Sequence, residues 1–472
     1  MKNLEFGKNV IKTLKSNDFD AYFSGECVIE IYKKLPLENT NFTIITSAYP
    51  EDIIKLFKEY TPKKLDKIGL KYLLSFENSQ LVILLLSTDS ESGHPSHELF
   101  TTMLYDYLKH RDFTVKALLM DESERIIDLF DNYINDLKEN KLKFIGDWQR
   151  AIDKDPHKLL RMFRYKYSYG MDIADISNLS IKIFTKNKML QCVHQDERFL
   201  TPEIIKEELF KLLGDDRGCG NGAIYEICST GLLDELDESF GLAYNFILNL
   251  PEYRGTLLDY ISRVLLYLPQ CISNKNLNIE IRMAGLMCYL GYIYTRKRSE
   301  GIYSKFYRPG GTSAEIAKDF LRKINCSNKF INNVSEIITY SEYIIINMYN
   351  IDINRALNKI SPDLFIASLD LAKAKLIAQN NKEVQFEIDQ INSIYVILNN
   401  IMNDKNQIHS IKNLDVNGND IISILGVNNN FMTRSVLDYL LNIVMSGLVK
   451  NEHDELLKAV NELKNNMQIE MD

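Results

Sequence analysis

Two carboxylates one residue apart on a strand project to the same face and can clamp a pair of divalent metal ions. The chain of 472 residues holds such a pair at Asp18-Phe19-Asp20. It precedes the strand-forming run Ala21-Tyr22-Phe23. That order places it in a solvated turn, at the opposite end of the strand from the turn at Ser24-Gly25. Arg111-Asp112 sets a cation beside an anion, on residue type alone an ion pair. Asp155-Pro156 has the form of a helix N-cap followed by a first-turn proline. Beyond it, Lys154, Lys158, Arg161, Arg164 and Tyr165 fall on adjoining turns of one side of a helix, while Leu159, Met162 and Phe163 point to a core. His453-Asp454 is the one His-Asp dipeptide and lies in a polar C-terminal helix, at the surface. Cys288, amid apolar residues, is read as core.

The elements that would position these groups form an α/β head on a long helical body. Ala21–Phe23, Phe42–Ile45 and Leu81–Leu86 are strand runs, the last uninterrupted by polar residues. After about Gly146 the pattern is helical almost to the end, with breaks near Gly214–Gly222, Arg308–Gly311, Val416–Asn419 and Val427–Asn430. A hydrophobic share of 45% and a charged share of 25% fit a folded chain of several domains. The formal net charge is -8, which argues against a nucleic-acid partner unless the basic residues are segregated. They are: residues 141–170 carry eight Lys/Arg against three Asp, and residues 54–72 carry Lys55, Lys58, Lys63, Lys64, Lys67 and Lys71. Seven scattered cysteines without a CxxC pair imply a reduced, cytoplasmic protein. The N-terminus has no apolar signal region, and no aliphatic run is long enough to span a membrane.

Three head segments carry a resemblance to the bacterial tRNA nucleotidyltransferase (CCA-adding)/poly(A) polymerase family, class II. Phe23-Ser24-Gly25-Glu26-Cys27-Val28-Ile29-Glu30 stands where the family has G-G-x-V-R-D. Asn41 to Glu51 stands where it has D-I-D-I-A-T-S-A-x-P-E, and His110-Arg111-Asp112-Phe113-Thr114-Val115-Lys116-Ala117 is close to R-R-D-F-T-x-N-A. The resemblance implies a polymerase-β-like head in which carboxylates hold two Mg²⁺ ions. Here those carboxylate positions are Asn41, Thr43 and Val82, so no catalytic residue is assigned. Glu26 replaces the second glycine, where a carboxylate opposes phosphate. Gly25, Arg111 and Asp112 remain as nucleotide- or RNA-binding candidates, the last two as ribose and phosphate contacts in the family.

Gly146 to Tyr165 resembles the family's neck motif G-D-x-x-x-R-x-x-E-D-P-L-R-I-L-R-A-x-R-F, part of which reads the base edge of incoming C or A. Asp155 is kept, but Lys154 and Lys158 replace the Glu and the Arg. A lysine lacks the planar fork that reads a base edge. Asp155, Lys158, Arg161 and Arg164 complete the binding candidates, the basic helix side being either solvated or turned toward RNA.

Residues 250–345 resemble an HD domain stripped of its metal ligands, whose positions are Tyr260, Cys288, Tyr289 and Pro309. No metal is assigned there. Val416–Ile422, Leu425-Gly426, Ser435–Leu441 and Gly447–Glu452 follow the family's closing helices. The expected domains are a head at 1–143, a helical neck at 144–210, a degenerate HD-like domain at 211–350 and a helical tail at 351–472. The expected function is a catalytically inactive family member that binds tRNA or another structured RNA, or pairs with an active homologue, away from membranes. The alternatives are an active CCA- or poly(A)-adding enzyme with displaced metal ligands, and a scaffold without RNA binding. No cofactor is expected on the main reading; Mg²⁺ and ATP or CTP belong to the active alternative.

Overall fold

The computed structural model describes residues 2–469 except 38–39, 67–69, 77–78, 87–94, 175, 177, 195–200, 219–221, 235, 251–252, 298–303, 358, 380–383, 404–410, 412–413, 427–429 and 446–447. Lys67, Val427 and Gly447, noted above, lie outside the described residues, as do 219–221 and 428–429 within the breaks noted above. The chain divides into two compact units, Met1–Leu232 and Leu233–Asp472.

The first unit starts with α1 (Lys2–Lys15), β1 (Ala21–Ser24), α2 (Glu26–Tyr32), β2 (Phe42–Thr46), α3 (Pro50–Leu56), β3 (Lys63–Lys64), β4 (Lys71–Phe76) and β5 (Ser79–Leu85). After α4 (His97–Leu108), β6 (Leu119–Met120) and β7 (Ile126–Ile127) close a mixed sheet of order β3-β4-β5-β2-β1-β6-β7. β1 runs antiparallel to β2, while β2 and β5 are parallel. The strand runs read from the sequence are β1, β2 and β5. β3 and β4 are additional; their lysines had marked the stretch only as basic. Ile45, Leu84, Phe100, Leu104, Leu108, Ala117 and Leu119 bury one face of the sheet against α4. Burial of such apolar area, at about 25 cal/mol per Å², is the main force holding sheet to helix.

The unit continues through α5 (Tyr133–Lys138), β8 (Lys141–Leu142), α6 (Trp148–Lys154), α7 (Lys158–Tyr169), β9 (Asp172–Ile173), α8 (Asn178–His194), α9 (Pro202–Gly214) and α10 (Ala223–Ser229). Gly170 ends α7 with φ 60°, a left-handed stop. α9 and α10 both pack on α7. The first compact unit runs to Leu232, and α9 spans positions 210 and 211.

The second unit comprises α11 (Ser239–Asn245), the ribbon β10 (Ile247–Leu250) and β11 (Tyr253–Thr256), α12 (Leu257–Tyr267), α13 (Asn278–Met287), α14 (Tyr292–Thr295) and the short pair β12 (Arg296–Lys297) and β13 (Lys305–Phe306). These ribbons interrupt a region read as helical almost throughout. Then follow α15 (Pro309–Lys323), α16 (Asn328–Asn347), α17 (Ile353–Leu357), α18 (Pro362–Ala378) and α19 (Gln385–Asn403). Ser327 and Ser361 cap α16 and α18 by accepting from Phe330 N and Leu364 N. α20 (Gly418–Leu425), α21 (Asn430–Met445) and α22 (His453–Ile469) share a small core of their own, centred on Ile421, Leu440, Leu456 and Val460. No helix among the described residues is long and apolar enough to cross a membrane.

Candidate functional site

Thr43 and Val82 are direct partners across the β2–β5 ladder, and Asn41 lies two residues before Thr43. Side chains alternate along a strand, so all three project to one face. Asn41 is exposed and Thr43 and Val82 are half-buried, while Phe42, Ile44, Leu81 and Ile83 turn to the core. The face thus carries an amide, a hydroxyl and an isopropyl group. None offers the anionic oxygen that Mg²⁺ prefers, so these residues do not fit a two-metal site. Asp18 and Asp20 do not substitute. Ala21 pairs with Thr46, which puts Asp20 at the far end of β2 from Asn41. There Asp20 accepts from His97 Nδ1 at 2.9 Å.

Gly25 turns the chain from β1 into α2 with φ 83°, and nothing lies within 4 Å of the position its Cβ would take. The next residue, Glu26, reaches the neck. Its carboxylate accepts from Arg164 Nη2 at 2.9 Å, Arg164 Nη1 at 3.3 Å and the Tyr165 hydroxyl at 2.8 Å. Burial would raise this carboxyl, but the charge and hydrogen bonds of Arg164 outweigh it and bring it down to about 2.

Arg164 is also gripped from its other side by Glu208 of α9, which accepts from Arg164 Nε at 2.9 Å and from Arg161 Nε at 2.8 Å. Arg161 Nη1 donates to Asp112 at 3.1 Å and to Asp155 at 3.3 Å. Asp112 further faces Lys116 at 3.4 Å and Lys158 at 3.5 Å. Burial opposes its ionisation, yet Lys116, Arg161 and Lys158 together hold it below the usual carboxylate range. Four carboxylates (Glu26, Asp112, Asp155, Glu208) thus interlock with four cations (Lys116, Lys158, Arg161, Arg164). Asp155 also caps the turn into α7, its Oδ1 accepting from His157 N at 3.2 Å.

This network corrects the open basic face drawn from helical periodicity. Arg164 is 4% exposed and Tyr165 fully buried, and Arg161 is half-buried among three carboxylates. A guanidinium placed that way is spent on internal charges and is not presented to RNA. Glu208 was not singled out in the sequence. Its signal was a carboxylate on the buried stripe Ile205, Leu209, Leu212 of α9, where only a paired charge is tolerated.

Arg111, Asp112, Arg150, Lys154, Asp155 and Lys158 line a cavity of about 460 Å³ beside the network. Arg111 stacks over the Tyr107 ring at 4.6 Å, and its buried Nε has no hydrogen-bond partner among the described residues. Arg150 and Lys154 are exposed at the rim. A second cavity of about 500 Å³, in the tail, is lined by Asp415, Asn417, Asp420 and His453. Those polar atoms are engaged in capping α20 and in tying His453 to Asp415, so the chemistry belongs to the cleft of the first unit.

In the second unit the four positions of the expected HD ligands are packed shut. Tyr260 donates its hydroxyl to Lys375 O at 3.1 Å and meets Tyr289 at 4.8 Å between ring centres. Tyr289 in turn meets the Tyr292 ring at 4.8 Å, tilted by 53°. The Lys375 ammonium, itself buried, sits over the Tyr289 ring at 4.9 Å and pairs with Glu342 at 3.2 Å. Burial pushes the Cys288 thiol up to about 12. Pro309 opens α15, and Gly291 lets that helix approach: a Cβ on Gly291 would lie 2.4 Å from Pro309 O and from Ser313 N. Glu342 and Lys375 were likewise not singled out in the sequence. Aromatic rings and one internal ion pair surround these positions.

Residues 21–143 match the family model described as a poly A polymerase head domain, and residues 297–460 match a putative tRNA nucleotidyltransferase domain 2. The CCA-adding enzyme of Lactobacillus delbrueckii subsp. bulgaricus is 30% identical over 236 residues, covering 48% of this chain and 54% of that enzyme. That of Enterococcus faecalis is 32% identical over 181 residues, covering 37% of this chain and 43% of the enzyme. The chain thus spans about half the length of the curated relatives it matches. The Bacillus stearothermophilus CCA-adding enzyme, solved with CTP, shares the fold over 100% of both chains at a TM-score of 0.58 and 20% identity. A CCA-adding enzyme solved with ATP does so over 98% of this chain and 96% of its own, at 0.52 and 14%. These complexes overturn the expectation that no cofactor belongs here: CCA-adding enzymes that share this fold were solved with CTP and with ATP bound. With its head and C-terminal models matched in order and its fold shared throughout, the chain belongs to the tRNA nucleotidyltransferase/poly(A) polymerase family.

Proposed function

We propose that this chain is a tRNA-directed member of the family that has lost nucleotidyl transfer and acts by binding RNA. The observation that carries the reading is the β2–β5 face, where Asn41, Thr43 and Val82 replace the family's three carboxylates. Without them the attacking 3′-hydroxyl is not activated and the leaving pyrophosphate is not neutralised. A second support is Lys158, which replaces the guanidinium fork and is turned toward Asp112. Phosphate contacts fall to the exposed lysines of α3 and of the β3–β4 edge, Lys55, Lys63, Lys64 and Lys71, and to Arg150 and Lys154 at the cavity rim. They do not fall to Arg161 and Arg164. These exposed cations are segregated on a chain whose total charge is negative, as binding to a polyanion requires.

The test offers the purified chain a tRNA lacking its CCA end, labelled CTP or ATP, and Mg²⁺ or Mn²⁺. The expected result is no incorporation, with tRNA retained on a filter in a salt-dependent manner. Incorporation that disappears when Asp18 or Asp20 is changed to Asn would refute the loss of transfer. Failure to bind tRNA at low salt would refute the RNA-binding role.

A further inference from the structure

Glu26 sits in surroundings that ordinary ion pairs do not have. Its two oxygens meet a forked guanidinium (Arg164) and the Tyr165 hydroxyl at 2.8 Å, with the Tyr169 hydroxyl at 3.5 Å shared with Glu30, to which it lies closer, at 3.2 Å. The Lys116 ammonium, over the Tyr165 ring at 5.3 Å, adds to the positive field on it. A planar fork with converging hydroxyls and a second cation is how proteins grip a free oxyanion. The donors are fixed from behind: Arg164 and Tyr165 are buried in α7, and Glu208 orients the Arg164 Nε. The carboxylate arrives from the other side, on α2, and its side chain keeps 28% exposure. Space is open beside it at Gly25. Among the four carboxylates and four cations Glu26 supplies one negative charge, and the neighbouring buried Glu30 pairs with Arg217 at 3.4 Å. Removal of Glu26 leaves the outward edge of the Arg164 fork without an anion, in a half-open cradle, while Glu208 still holds the Nε.

We propose that Glu26 is an internal stand-in for a phosphate-class oxyanion, filling a cradle of Arg164, Tyr165, Tyr169 and Lys116 that accepts a free oxyanion only when the carboxylate is withdrawn. The inference deepens the loss of transfer proposed above and rests on that reading for its meaning: the cleft is closed to phosphate from within, in addition to lacking metal ligands. Its test is independent of that reading.

The full-length Glu26→Ala and Glu26→Gln variants are compared with the unaltered chain by thermal unfolding, followed by fluorescence of the single tryptophan, Trp148. Formate and chloride are compared at equal ionic strength, and inorganic pyrophosphate is titrated calorimetrically. The expected result is a lowered melting temperature for Glu26→Ala that formate, but not chloride, restores. Glu26→Gln, which leaves no room for an added anion, stays insensitive to formate. Pyrophosphate binds Glu26→Ala more tightly than the unaltered chain by roughly ten- to a hundredfold, as one or two charged hydrogen bonds supply. If Glu26→Ala does not fold in chloride, refolding in formate carries the same information. Equal behaviour of Glu26→Ala in formate and chloride overturns the proposal, as does pyrophosphate binding of equal strength in the unaltered chain and the variant. Nucleotide incorporation by the unaltered chain would sink the loss of transfer and leave the cradle standing. Anion-insensitivity of Glu26→Ala would sink the cradle and leave the loss of transfer standing.

Discussion

Replacing Arg164 by Met removes the cation held between Glu26 and Glu208 while keeping a long side chain to fill its volume. Glu208, 3% exposed, would keep only Arg161, and Glu26 would keep the tyrosine hydroxyls and the field of Lys116. Breaking a buried pair from one side costs about 3–5 kcal/mol, because the other charge stays behind without compensation. For a unit of this size each kcal/mol lowers Tm by about 2–4 °C, so a fall of about 6–20 °C is expected. Trp148 stands on α6, against Phe184 at 5.2 Å, within the same unit, and no other tryptophan competes with its signal. Its fluorescence therefore follows the unfolding of Met1–Leu232 alone, which matters because a chain of two units need not melt in one step. Lys154→Ala, at an exposed position on α6, is the control and should stay within about 0.5 kcal/mol. A Tm for Arg164→Met within about 2 °C of the parent would show that Arg164 is solvated after all, and the closed network would have to be abandoned.

Glu26 makes stability acid-sensitive. Its folded value of about 2 lies below the ordinary 4.5, so its contribution is full above about pH 4.5 and is lost as pH falls toward 2; the urea midpoint of the parent should drop more steeply across that window than that of Glu26→Gln. Gly291→Ala drives a methyl into Pro309 O and Ser313 N and should cost the second unit about 1–3 kcal/mol or more, read as an early helical transition by circular dichroism. Cys288, buried and with its thiol raised to about 12, should resist iodoacetamide at pH 8 in the native chain while half-exposed Cys326 is labelled, and mass spectrometry should find Cys288 modified only after denaturation. Changing Lys63, Lys64 and Lys71 together to Ala should flatten the log–log salt dependence of tRNA binding by about two to three units if each meets a phosphate; an unchanged slope would remove the β3–β4 edge from the RNA surface.

The sequence by itself determined the strands β1, β2 and β5 and which side chains β2 and β5 present. A run such as Phe42–Ile45 is recognised from neighbours along the chain, and alternation then puts positions 41 and 43 on one face. The substitutions at Asn41, Thr43 and Val82 were therefore legible before any coordinates, as was the division of α7 into an apolar and a polar side. β4 was not, because Lys71 and the lysines before it masked a strand that its pairing with β3 and β5 defines. Nor could the sequence say what the polar side of α7 faces. Helical periodicity separates apolar from charged residues but does not distinguish water from an opposing carboxylate. The partners that decide it lie 138 residues away for Glu26 and 44 residues away for Glu208. Tertiary packing brought those two carboxylates onto Arg164 from opposite sides. A buried guanidinium persists only where such partners meet it, so the same residues that read as an RNA-facing groove became the interior of a closed charge network.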